Sequence, residues 1–258
     1  MKRISHEPGY VLHHYDWSES SVIIEAFTRT HGRVALVARG AKRPSSNFRP
    51  VLLPLQPLFL SWGGQGEVRT LKGAEWGGGH VMPGGETLMA GCYANELVLR
   101  LVAREDPHEA LFDAYADLVR TLAAGAADRR QLAVALRAFE LVLLHQCGYL
   151  PTLDIQTFTQ QPLQPEQPYR IDPESGLAAV SDEPLPGELR GADWAALAQA
   201  FMGLPVLPGL MTVIDGLDRG RQMRLRRQLR RLLQYHSGID MLRTRQLAHD
   251  LSRLSVVP

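Results

Sequence analysis

Ser21-Val-Ile-Ile-Glu-Ala-Phe27, Thr30-His-Gly32 and Arg33-Val-Ala-Leu-Val-Ala-Arg39 follow one another along the chain. Two β-branched runs separated by Thr-His-Gly predict a hairpin, because such runs favour extended backbone and glycine supplies the turn. Upstream, Tyr10-Val-Leu12 reads as another strand, and downstream comes a basic, turn-rich segment, Gly40-Ala-Lys-Arg-Pro-Ser-Ser-Asn47. Leu52 to Trp62 reads as a strand whose first part is demoted to an edge or bulge by Pro54 and Pro57, which cannot donate to a ladder. The turn Gly63-Gly-Gln-Gly66 and a last strand, Glu67 to Trp76, complete the set. Five short strands without a helix signal predict a small barrel or sandwich.

Trp76-Gly-Gly-Gly-His-Val-Met-Pro-Gly-Gly85 breaks the pattern and marks a domain junction. Beyond it the period becomes helical. Leu88, Cys92, Leu99 and Val102 share one expected face; Leu111, Tyr115, Leu118 and Leu122 form a second stripe. Leu132, Leu136, Phe139, Leu143 and Cys147 form a third, ended by Gly148 and Pro151. Residues 151–190 are rich in Pro and Gln, with a short hairpin expected where Tyr169–Ile171 and Leu177–Val180 flank Pro173-Glu-Ser-Gly176. Helices resume near Asp193, read as a cap for Trp194 onward. The expected organisation is α+β: a β-barrel over 1–80, then a mostly helical domain over 86–258 with an irregular insertion at 151–190.

The chain has 258 residues, 45% hydrophobic and 21% charged, which suits a folded core and excludes a disordered composition. Its net charge of +1 conceals a strong asymmetry. Residues 1–80 carry ten Lys/Arg against six Asp/Glu, residues 81–218 eight against nineteen, and residues 219–258 ten against two. Basic ends around an acidic middle point to a polyanionic partner. The two cysteines, Cys92 and Cys147, exclude a disulfide framework and a multi-cysteine zinc site, so no metal is expected. No secretory leader or membrane-length apolar run is read in the chain, and a cytoplasmic protein is expected.

Two groups of cations are candidates for nucleic-acid contact. In the first, Arg33 and Arg39 lie on one strand face by alternation, with Lys42, Arg43 and Arg49 in the loop beyond. Tyr15, Trp17, Phe27 and Phe48 supply rings nearby, and cations interleaved with rings hold single strands without reading sequence. The second is a helix over 221–235. At roughly 100° per residue, Leu225, Leu229, Leu232 and Leu233 share one sector, and Arg224, Arg227 and Arg231 oppose it, with Arg221 on a flank. No acid occurs from Arg219 to Ile239, so partners within the helix cannot neutralise them. The competing reading is a solvated face, or one paired with the acidic middle.

Catalytic signatures are missing: there is no GxxxxGK[ST], GxSxG or HExxH. His13 and His14 face opposite ways on a strand, and Cys147 lies on an apolar stripe. No enzyme activity and no cofactor is expected. From these residues the chain reads as a nucleic-acid-binding protein, of DNA or of RNA, with a protein-interaction scaffold as an alternative.

Gly9-Tyr-Val-Leu12, Glu19-Ser-Ser-Val-Ile-Ile-Glu-Ala-Phe-Thr28, His31-Gly-Arg-Val34 and Ala38-Arg-Gly-Ala-Lys-Arg-Pro-Ser-Ser46 resemble the N-terminal pattern of the RecO family. Ala94-Asn-Glu-Leu97, Gly148-Tyr-Leu-Pro151 and the ending Ile239-Asp-Met-Leu-Arg-Thr-Arg-Gln-Leu247 extend the resemblance along nearly the whole chain. It implies an N-terminal OB-fold on a helical domain, binding of single- and double-stranded DNA, and annealing of complementary strands. It also implies work with RecR to load RecA onto DNA covered by single-stranded-DNA-binding protein. That protein's acidic tail would dock on the basic C-terminal helices at Arg221, Arg224 and Arg227. Many members carry two CxxC pairs after Gly-Tyr-Leu-Pro; here the first place reads Asp154-Ile-Gln-Thr157, which resembles the zinc-free branch.

Overall fold

The computed structural model describes residues 3–79, 81–125, 128–181, 185–239, 242–244 and 246–247. The chain forms two compact units, Met1–Ala126 with Leu242–Pro258, and Ala127–Met241.

The first unit contains β1 (Arg3–Asp16), β2 (Val22–Thr28), β3 (Gly32–Ala38), β4 (Leu58–Gly63) and β5 (Val68–Trp76). They close into a barrel in the order β1-β2-β3-β5-β4, antiparallel except for the β3–β5 pair. This five-stranded closed barrel is of the OB type. Alternate residues fill it, among them Ile24, Val34, Leu36, Leu60, Trp62 and Leu71. The expected hairpin forms in register, Thr28 opposite Gly32, with Gly32 at φ 65°. The segment before β4 is not strand: β4 starts at Leu58, and Pro54 makes one isolated bridge to Val11. The missing proline N–H groups end the ladder there, and Leu55 instead becomes a buried knob. It seats on helix α1 (Gly85–Leu101), where a Cβ on Gly91 would lie 2.3 Å from Leu55 Cδ1.

Helix α1 buries Ala90, Ala94, Leu97 and Leu101, whereas the expected face of Leu88, Cys92 and Leu99 is half-buried. Small residues permit the closer approach, so packing chose the alanine–glycine face over the bulkier one. Helix α2 (Glu109–Ala123) buries Leu111, Tyr115, Leu118 and Leu122 as the stripe predicts. Tyr115 and Phe112 pack with Tyr10 and Phe27 on the outer face of β1 and β2, so the helices bury the side of these strands opposite the barrel interior. Burial pushes the Tyr10 phenol up to about 12.

One polar network fixes this junction. The β1–β2 register breaks between Val11 and His13. Asn95 Nδ2 of α1 donates to the Leu12 carbonyl within that bulge at 3.1 Å, and Asn95 Oδ1 accepts from the Tyr115 hydroxyl. Its neighbour Glu96 accepts from the Arg243 and Thr244 amides at 2.9 Å each, tying the segment 242–244 to α1.

The second unit contains α3 (Arg129–Gln146), β6 (Pro168–Asp172), β7 (Gly176–Ala179), β8 (Leu189–Arg190), α4 (Gly191–Met202), α5 (Val206–Gly216) and α6 (Arg219–Ser237). The region expected to be irregular contains a three-stranded sheet in the order β7-β6-β8, including the expected hairpin. Gln228 Oε1 of α6 accepts from Ile171 N at 2.8 Å, and Trp194 Nε1 donates to the Tyr169 carbonyl at 3.3 Å. Helix α4 starts at Gly191, earlier than expected; Asp193 lies inside its first turn and accepts from Arg190 N at 2.8 Å.

Asn95→Ala removes the partner of the buried Leu12 carbonyl. Urea melts should show a loss of about 1–3 kcal/mol, the cost of a buried group left unmade.

Candidate nucleic-acid interface

The β1–β2 turn, the end of β3 and the start of β5 enclose a groove of about 610 Å³ lined by Trp17, Ser18, Val37, Arg39, Arg43 and Thr70 among others. A second depression of about 500 Å³ adjoins it, lined by Phe48, Lys72 and Glu75. Arg39, Gly40 and Arg43 line both, forming the ridge between them. The local cause is a tight turn: Gly40 at φ 71° ends β3, and Arg43 N donates to the Gly40 carbonyl at 3.0 Å. Arg43 is thereby folded back beside Arg39.

The β2–β3 face with the β1–β2 loop is where OB-folds take oligonucleotides. Trp17 stands there with 65% of its surface exposed. Arg39, Arg43 and Arg49 are exposed and have no ion-pair partner among the described residues. An exposed indole beside unpaired guanidinium groups can stack a base and neutralise phosphates in the same groove.

The other expected residues are placed differently. Arg33 shares the β3 face with Arg39 but lies at its opposite end, with 15% of its side chain exposed. Its Nη1 bonds the Leu99 carbonyl and its Nε lies 3.7 Å from Glu25 Oε2. Burial lowers its pKa. Glu25 is also bonded by Arg104, so this cluster holds the α1–α2 linker to the barrel. Lys42 is engaged by Asp16 at 2.8 Å. Phe27 is fully buried, contrary to its expected place among accessible rings. Strand β2 turns Ile24 and Ala26 into the barrel, and Phe27 points the other way, into the α2 cluster. Tyr15 is half-exposed beside His13, and Phe48 packs partly on the barrel core. Lys72 was not among the expected cations; alternation from the buried Leu71 turns it outward.

Helix α6 buries Leu225, Leu229, Leu232 and Leu233, as the angular pattern predicts. Its arginines do not all face solvent free. Arg221 lies 3.3 Å from Asp193 and 3.4 Å from Asp218. Arg224 Nε lies 3.7 Å from Glu188 and its Nη2 donates to the Pro186 carbonyl at 3.4 Å. Arg231 meets Asp172 at 2.9 Å. The expected outward face is thus corrected for Arg224, which is turned in against the β6–β8 region, while Arg221 is partly buried between Asp193 of α4 and Asp218, and Arg231 stays exposed beside Asp172. Arg227 and Arg230 are exposed and have no ion-pair partner among the described residues.

Among the described residues no group of three or more His, Cys, Asp or Glu is placed to hold a metal ion, and no helix is long and apolar enough to cross a membrane. Residues 1–79 match the family model described as Recombination protein O N terminal, and residues 83–183 that described as Recombination protein O C terminal. The chain belongs to the RecO family. It is similar to the DNA repair protein RecO of Variovorax paradoxus (strain S110), 58% identical over 257 residues and 98% of each chain. It is also similar to the DNA repair protein RecO of Polaromonas sp. (strain JS666 / ATCC BAA-500), 54% identical over 254 residues, covering 98% of this chain and 99% of that one. RecO membership places the chain in DNA repair and recombination, and the groove at Trp17 lies within the N-terminal match.

Two sets of variants separate contact from support in this RecO-family chain. Each single-strand phosphate contact contributes about −0.7 to the log–log salt slope of binding, so Arg39→Ala with Arg43→Ala should flatten it by about 1.4. Arg33→Ala should leave the slope unchanged and cost about 1–3 kcal/mol of stability. On α6, thermal melts should rank Leu229→Ala first, at about 2–5 kcal/mol. Arg227→Ala should stay within about half a kcal/mol.

Proposed function

We propose that this protein is a non-catalytic recombination mediator that binds single-stranded DNA in the Trp17 groove and anneals complementary strands. The observation that carries the reading is the exposed Trp17 indole beside the unpaired guanidinium groups of Arg39 and Arg43. Stacking accepts any base because every base has a π-face, and the arginines bind phosphate in any sequence. The same cations serve double-stranded DNA through its phosphates. Ser, Thr, Val and Arg side chains around the groove bind and position; the function needs no bond broken.

The family resemblance supplies the partners of this reading: RecR, single-stranded-DNA-binding protein, and RecA, which is loaded onto the DNA that protein covers. The cytoplasm, where the nucleoid lies, is the place of action. An acidic, apolar-ended tail needs cations beside an apolar pocket. With Arg221 and Arg224 paired internally, the exposed Arg227 and Arg230 of α6 are the better candidates for its carboxylates.

The test is annealing of complementary strands coated with single-stranded-DNA-binding protein. The protein should accelerate it, and Arg39→Ala with Arg43→Ala should remove most of the acceleration. No acceleration at a salt concentration where the protein is bound to DNA would reject the reading. Tail-peptide binding should fall in the Arg227→Ala, Arg230→Ala variant; unchanged binding places the tail elsewhere.

A further inference from the structure

Lys42 lies in the loop between the groove residues Gly40 and Arg43, and its ammonium is directed at the β1–β2 turn. Nζ lies 2.8 Å from Asp16 Oδ1 and donates to the Ser18 carbonyl at 3.0 Å. The Lys42 amide donates to the Ser20 carbonyl at 3.0 Å, and the Gly40 amide to Ser21 Oγ at 3.3 Å. These four contacts tie residues 16–21 to residues 40–42. Between them stands Trp17, whose indole has no hydrogen bond or ring contact among the described residues. Its position is therefore set by the turn, where its amide bonds the Ser21 carbonyl at 3.2 Å.

We infer that Lys42 is a positioning residue: it latches the turn bearing Trp17 to the loop bearing Arg39 and Arg43, so that the stacking ring and the phosphate-binding pair are held at a fixed separation before DNA arrives. The inference rests on the groove reading above. It assigns Lys42 a role distinct from phosphate contact. Its charge is already matched by Asp16, so neutralising a phosphate would mean giving up a formed pair. The bond to Lys42 holds the Asp16 carboxyl below its ordinary range, and both groups are charged at neutral pH. Fixing two subsites in advance strengthens binding because the ordering is not repeated with each ligand.

Fluorine NMR on protein labelled with fluorotryptophan separates the roles, with the Trp17 line assigned by its loss in Trp17→Phe. In DNA-free protein, Lys42→Met should narrow the Trp17 line, because the turn moves more freely. Asp16→Asn, which breaks the same pair from the other side, should narrow it too. Lys42→Met should weaken oligothymidylate binding by about 3- to 10-fold with the salt slope unchanged. A slope flattened by about 0.7 would make Lys42 a phosphate contact and overturn the latch. An unchanged line in both variants would overturn it as well. If oligothymidylate does not shift the Trp17 line of the wild-type protein, and Trp17→Ala binds as tightly, the groove reading fails. The narrowing in DNA-free protein still decides the latch in that case.

Discussion

The Leu12 carbonyl lies in a bulge of β1, where the ladder to β2 loses its register, and a buried carbonyl left there would carry a desolvation cost. Asn95 meets it from α1, and the Tyr115 hydroxyl of α2 meets Asn95 in turn. Three elements are pinned through one side-chain amide. The aromatic cluster of Tyr10, Phe27, Phe112 and Tyr115 packs around the same point, so the apolar and polar halves of the junction support each other. The bulge also re-aims the second half of β1. That half runs from His13 to Asp16 and delivers Trp17 to the rim of the groove. A constraint set deep in the first unit thus bears on the direction of the strand that leads into the turn holding the indole.

The arginines divide by whether folding has already supplied their counterions. Arg33, Arg221, Arg224 and Arg231 are matched by Glu25, Asp193, Glu188 and Asp172. A phosphate would compete with the carboxylate at each, most at the buried Arg33 and Arg224 and least at the exposed Arg231. Arg39, Arg43 and Arg49 have no such partner among the described residues and gain most from a polyanion, through counterion release. Net charge along the chain does not make this distinction. The same composition would serve a groove or a set of internal ion pairs.

Local signals were legible. Alternation over 21–39 and the Thr-His-Gly turn locate β2, β3 and their register, and the spacing of Leu111, Tyr115, Leu118 and Leu122 locates the buried face of α2. The groove was partly legible, since Arg39, Arg43 and Trp17 were singled out and lie together. What escaped depends on partners distant in the chain. Phe27 reads like any strand aromatic until α2 covers it. Arg231 reads as unpaired on a helical wheel, and only the fold brings Asp172, fifty-nine positions earlier, beside it while it stays exposed. Helix α1 presented two apolar faces, and Gly91 and Ala94 settled the choice because small side chains let Leu55 approach. The Lys42–Asp16 pair was not legible, because Asp16 lies on the far side of a turn and only the turn's geometry brings the two together.

In the proposed function, a strand held at one stacked base and a few phosphates keeps the Watson–Crick edges of its other bases free. A complementary strand can therefore pair without first stripping the protein away. As pairing advances to the base on Trp17, the stack with the indole competes with the stack inside the duplex. Losing it removes about 1–3 kcal/mol of binding, or roughly a 5- to 150-fold drop in affinity. Phosphate contacts at Arg39 and Arg43 persist on duplex DNA, so the product is loosened and not expelled. In this reading a groove with one exposed ring and two free guanidinium groups holds the reactant strand more tightly than the product, so the duplex can leave and the groove can take another strand.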